Sequence, residues 1–174
     1  MVIDRKTGQI GNSTWFPPLV VWLKKLGLDI KLYSLFDYDQ LVTGGDVFLK
    51  KNWDPDRYER EKDTGALKNL DFVRKETSKM MLGNLWVKEK LEVDILSKKL
   101  ENNKTLAIGK TIYEWLDGNY NNGTGTAHYV VLIKEFDVNQ WLVHDPGLPP
   151  KDWRIVPKYI NNDSVFSDIM IIGS

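Results

Sequence analysis

His128-Tyr129-Val130-Val131-Leu132-Ile133-Lys134-Glu135-Phe136-Asp137-Val138-Asn139-Gln140-Trp141-Leu142-Val143-His144-Asp145 is the stretch on which the fold turns. Two runs rich in β-branched and aromatic residues flank the turn-forming triplet Asp137-Val138-Asn139, so the segment reads as an antiparallel hairpin. The chain has only 2 histidines, and both stand at the open end of this hairpin. With a loop from Glu135 to Val138, His128 falls opposite Asp145; a register one residue different puts it opposite His144. Either way an imidazole and a carboxylate come within reach. In that arrangement an acid holds a general base in one tautomer and stabilises its cation. The structural alternative is a partly buried histidine with a satisfied hydrogen bond, beside an Asp145 that merely starts a turn. Pro146 presets φ for such a turn, and Gly147 accepts positive φ.

Outward from the hairpin, the second half of the chain keeps the same character. Leu106 to Ile112, Arg154 to Val156 and Asp168 to Ile172 are short β-type runs separated by Gly, Asn, Asp and Pro. The first half is mainly helical. Leu19, Val20, Trp22, Leu23 and Leu26 recur at helical spacing from about Phe16 until Gly27. Pro17 and Pro18 fit the first turn of that helix, and Ser13 or Thr14 offers its cap. Asp29 to Leu35 alternates like a strand. Phe36 to Asn52 gives two short helical stretches around Gly44-Gly45, and Trp53 to Thr64 reads as an irregular charged segment. Leu67, Leu70, Val73, Thr77 and Met80 mark a further helix, and Val93, Leu96 and Leu100 another, with Asp94 near its start suiting the helix dipole. Helices followed by hairpin-linked strands give an α+β class with an antiparallel sheet.

Composition limits the functions open to such a chain. Its 174 residues, 42% of them hydrophobic, suffice for one domain with a real core. Lys plus Arg and Asp plus Glu number 24 each, so no global field favours nucleic acid or an anionic membrane. No apolar run is long enough to span a bilayer, and Met1 to Ile10 lacks the apolar core of a signal peptide. The expectation is a soluble protein, cytoplasmic by default. No cofactor motif appears: Gly44-Gly45 and Gly123-Thr124-Gly125 lack the lysine and the strand-loop-helix setting of a phosphate loop. The two histidines with Asp137, Asp145 and Asp152 have no metal-ligand spacing. The sequons at Asn12, Asn103, Asn122 and Asn162 carry no weight. Of the 7 tryptophans most are expected in the core, with Trp115 and Trp153 the two whose polar contexts suit the flank of a cleft.

The stretch from His128 to Leu132, then Trp141-Leu142-Val143-His144-Asp145-Pro146-Gly147-Leu148-Pro149-Pro150, resembles the signature of the C39-like, papain-like cysteine peptidase group. There a histidine opens one strand and an aspartate closes the next before Pro-Gly. Trp15 to Gly27 with Asp29 to Tyr38 is similar to the second helix and strand of such domains, and Val93 to Gly109 to the helix that leads into their sheet. The resemblance implies a papain-like fold over residues 1–174, a helical half packed on a small antiparallel sheet, with a cleft holding His128 as general base and Asp145 as its orienting acid. His144 becomes a neighbour. It also implies an extended peptide or protein as substrate or ligand. The group's nucleophilic cysteine and the oxyanion donor before it lie on an earlier helix, and this sequence has 0 cysteines. The expectation is therefore a domain lacking that helix, its uncovered apolar face met by a second copy or another partner. Such a domain is either a truncated peptidase or a pseudoenzyme that binds without cutting. Ser13 and Thr14, at the expected helix start, are read as caps and not as substitute nucleophiles.

Overall fold

In a computed structural model, residues 15–64, 67–101, 104–116, 118, 127–146, 151–161 and 163–173 are described. They fall into an α+β arrangement with two compact units, Met1–Leu28 with Phe36–Trp86, and Asp29–Leu35 with Val87–Ser174.

The first unit is helical. α1 (Phe16–Lys25) begins where the sequence places it, with proline in its first turn, and buries Phe16, Val20 and Val21. Its N-cap is Trp15, which makes no side-chain cap bond; Ser13 and Thr14, the expected caps, lie outside the described residues. α2 (Tyr38–Asn52) is bent at Gly45, whose φ of 52° suits a residue without Cβ. Arg74, on α4 (Leu70–Leu82), braces the bend by donating from Nε and Nη2 to the Val42 carbonyl at 3.0 and 2.7 Å. The segment expected to be irregular is instead a helix, α3 (Pro55–Thr64). Its start is encoded after all: Asp54 Oδ1 accepts from the Arg57 N–H at 2.8 Å, and Pro55 fills the first turn, where a missing N–H costs nothing. High charge, and a Pro55 that reads as an interruption, mask this capping signal in the sequence.

The second unit is built on the sheet. Its strands are β1 (Asp29–Ser34), β3 (Leu106–Ile112), β4 (Ala127–Asp137), β5 (Gln140–Asp145), β6 (Lys151–Pro157) and β9 (Asp168–Gly173), with the two-residue β2 (Trp86–Val87) falling where the first unit ends and the second resumes in the chain. β7 (Tyr159–Ile160) and β8 (Asp163–Ser164) form a separate two-stranded ribbon. The order in the large sheet is β2-β1-β9-β3-β4-β5-β6, and the pairings from β1 to β6 are antiparallel. The last strand in sequence is thus central, which explains why Asp168 through Ile171 are all buried. α5 (Val93–Leu100) buries Val93, Leu96 and Leu100, the spacing read from the sequence. These join Ala107, Val130, Leu132, Trp141, Val143, Val156, Phe166 and Ile169 in one core. A short α6 (Tyr113–Leu116) follows β3.

Candidate active site

β4 and β5 do form the expected hairpin, but in a register different from either expectation. Val131 pairs with His144 and Leu132 with Val143, while Asp137 pairs with Gln140 across a two-residue turn. Two irregularities, at Ile133 and Phe136 on β4, separate these pairings. Carried one step further, the same register sets Asp145 beside Val130, two residues from His128 and on the same face. The pair is therefore diagonal rather than directly opposed, a spacing that long side chains bridge.

They meet: His128 Nε2 and Asp145 Oδ1 are 2.6 Å apart. The Asp145 side chain is only 3% exposed and that of His128 20%. Asp145 is buried because it alternates with Trp141 and Val143 on the core face of β5. His128 lies at the rim of that face, paired in register with Thr111, whose hydroxyl is tied to the Val165 carbonyl at 2.9 Å. Tyr113 packs edge to face on the imidazole, centroids 5.1 Å apart at 84°. A carboxylate only accepts, so the hydrogen shared with Asp145 resides on Nε2. In the tautomer with hydrogen on Nε2, Nδ1 is the ring nitrogen that carries the lone pair.

Arg154 on β6 is a member of the site that the sequence reading did not name. Its Nε is 3.4 Å from Asp145 Oδ2, and its side chain is 9% exposed. An arginine between Trp153 and Ile155 gives no sign of burial until β6 is known to lie beside β5 in a register that puts Arg154 opposite Val143.

His144 faces the other side of the sheet, where its ring lies 6.0 Å from that of Trp153. Trp153 is thus on the side away from the pair, 61% exposed, and does not flank it as expected, while Trp115 is partly buried and packs against the core. Gly123 to Gly125, Gly147 and the sequons at Asn12, Asn103 and Asn162 lie outside the described residues, as does Asn122. Among the described residues no three His, Asp or Glu side chains converge as metal ligands.

A second polar cluster occupies the opposite face of the sheet, where Ser34 and Lys110 are the register partners of Asp168 on either side. Ser34 Oγ donates to Asp168 Oδ1, while Lys110 Nζ lies 2.7 Å and Ser167 Oγ 3.2 Å from Oδ2. Nearer the hairpin tip, Lys158 Nζ sits 2.9 Å from Glu135 Oε2 and 4.8 Å from the centre of the Trp141 ring. The hydrogen bond from Lys158 holds the Glu135 carboxyl below its usual range.

No helix among the described residues is long and apolar enough to cross a membrane. No protein-family model, curated protein or solved structure matches the chain.

Proposed function

We propose that this chain is a C39-like peptidase domain of papain-like fold, in which His128 is the general base and Asp145 the acid that orients it. The observation that carries the reading is the 2.6 Å contact made through Nε2, which leaves Nδ1 as the basic nitrogen. In cysteine peptidase chemistry, that nitrogen takes the thiol proton, the thiolate attacks the peptide carbonyl, and the imidazolium returns the proton to the departing amine. The burial of Asp145 supports the same role, since a desolvated carboxylate binds a developing imidazolium more strongly than an exposed one.

The 174 residues contain no cysteine. Hydrolysis by this route therefore requires a thiol from outside this sequence, and the chain by itself is a hydrolytically silent domain. The same absence favours a second reading, a pseudoenzyme that retains the site to hold an extended peptide.

The intact mass of the protein from its native source, set against 20.2 kDa, separates the two. A heavier product whose added cysteine is alkylated by a peptidyl chloromethyl ketone, with alkylation lost in His128→Ala, is the result expected of a peptidase. A product of 20.2 kDa that takes no label and cleaves no peptide overturns catalysis and leaves the binding reading.

A further inference from the structure

Three adjacent strands contribute to the pair. Asp145 lies on β5 with His128 on β4 to one side and Arg154 on β6 to the other. Both neighbours reach it diagonally, and each addresses a different oxygen, His128 at Oδ1 and Arg154 at Oδ2. The backbone is irregular at this point. Val143 pairs with Arg154, yet Asp145 pairs with Lys151, so β6 carries one extra residue between those two pairings. Bulges of this kind re-aim side chains. Plain alternation from the Val143–Arg154 pairing puts Arg154 on the side of Val156 and Trp153 beside His144 on the other, and the bulge follows immediately, where Asp145 takes Lys151 as its partner.

We infer that Arg154 is a positioning residue of the His128–Asp145 pair, acting through the Asp145 carboxylate. The inference rests on the function proposed above for that pair. A carboxylate attached through one rotatable bond and contacted at one oxygen can turn about that bond and present either oxygen, at varying angles, to the imidazole. Arg154 removes that freedom. Its planar guanidinium cannot lose its charge, and it is itself held in a 9% exposed position. With Oδ2 held 3.4 Å from the guanidinium Nε by charge attraction, Oδ1 is aimed at Nε2. The imidazole is then confined to the tautomer with hydrogen on Nε2 and a lone pair on Nδ1. Tyr113 limits rotation of the ring from the side. Arg154 acts on the pair through its contact with Asp145 Oδ2.

Nitrogen-15 NMR of the full 174-residue chain, labelled at histidine, tests this, with His144 as internal reference. The native protein is expected to show His128 as a single Nε2–H tautomer whose proton exchanges slowly. Arg154→Met, similar in volume and uncharged, is expected to give mixed tautomers and Nε2–H exchange at least about tenfold faster, as loss of a buried ion pair to the carboxylate would. Arg154→Lys retains the charge without the planar fork, and is expected to keep the tautomer with intermediate exchange. A folded Arg154→Met protein with native tautomer and native exchange overturns the inference. Should that variant fail to fold, Arg154→Lys decides: faster exchange supports the role and native exchange overturns it. None of these readouts needs hydrolysis. A negative thiol test thus leaves the Arg154 result standing, and a negative Arg154 result leaves the thiol test to be judged alone.

Discussion

Replacing Gly109 by alanine tests how tightly the sheet beneath the site is packed. Gly109 is on β3, two residues before Thr111, the register partner of His128. A Cβ at Gly109 would lie 2.6 Å from Phe166 Cδ1, 2.8 Å from Phe166 Cγ and 2.8 Å from Leu132 Cδ1. The leucine methyl is the tip of a flexible side chain and can turn away. The phenylalanine ring cannot do so easily: it is fully buried, and the atom 2.8 Å away is the one that joins the ring to its backbone. Overpacking of this sort costs about 1–3 kcal/mol. Alanine recovers about 0.5–1 kcal/mol, because glycine loses more backbone freedom on folding. Taking the middle of each range, the expected net loss is about 1 kcal/mol. In urea unfolding followed by tryptophan fluorescence, the midpoint should fall with the slope unchanged. Phe166→Leu should relieve the clash, so Gly109→Ala is expected to cost less in that background, with a coupling of about 0.5–2 kcal/mol. Equal or greater stability of Gly109→Ala, or strict additivity with Phe166→Leu, would refute the reasoning.

Asp168→Ala removes the shared acceptor of Ser34 and Lys110 and is expected to cost about 2–4 kcal/mol, toward the lower end of the range for breaking a buried pair because Lys110 keeps 29% exposure. Chemical unfolding checks it, and a loss below about 0.5 kcal/mol, typical of a surface site, contradicts it. For Glu135 the sign follows from its depressed carboxyl: the stabilisation is present above the unfolded value of about 4.3 and disappears as pH falls through the lower folded value. Glu135→Gln should thus be less stable than the native protein at neutral pH, with the gap closing under acid; a gap independent of pH contradicts this. Tyr58 donates to Asp46 Oδ1 at 2.7 Å, and that hydrogen bond, followed by burial, pushes its phenol up to about 12. Alkaline absorbance titration should show one late phenolate that moves down in Asp46→Asn, and no change on that substitution sinks the assignment.

Much of the architecture could be read before any coordinates because burial follows periodicity closely. Val93, Leu96 and Leu100 line one face of α5, and Ile30, Leu32 and Ser34 alternate inward on β1. Two features resisted for definite physical reasons. The central place of β9 depends on pairing with strands far away in sequence, and nothing local in Asp168 to Gly173 records which neighbours it has. The burial of Arg154 is of the same kind, since it follows from the lateral order of strands. The helix from Pro55 was different, because its Asp-Pro start was present in the sequence but hidden by charge density and by a proline that reads equally well as an interruption.

The His128–Asp145 contact shows why a site can be found from a register that is wrong. Side chains alternate with a period of two, so the difference of two residues between the expected and observed pairings leaves Asp145 on the face of His128. A difference of one would have brought His144 there instead. The two irregularities on β4 matter for the same reason. An unbroken hairpin closed at Asp137 and Gln140 would set Asp145 opposite Leu132, four residues from His128, or about 13 Å along the strand. One extra residue on β4 would turn Asp145 to the wrong face. Two restore the face and halve the distance, which long side chains then span to give the contact at 2.6 Å. Placement of this carboxylate is therefore a property of the paired bulges at Ile133 and Phe136 as much as of the residues that touch. Neither bulge has a composition that announces it.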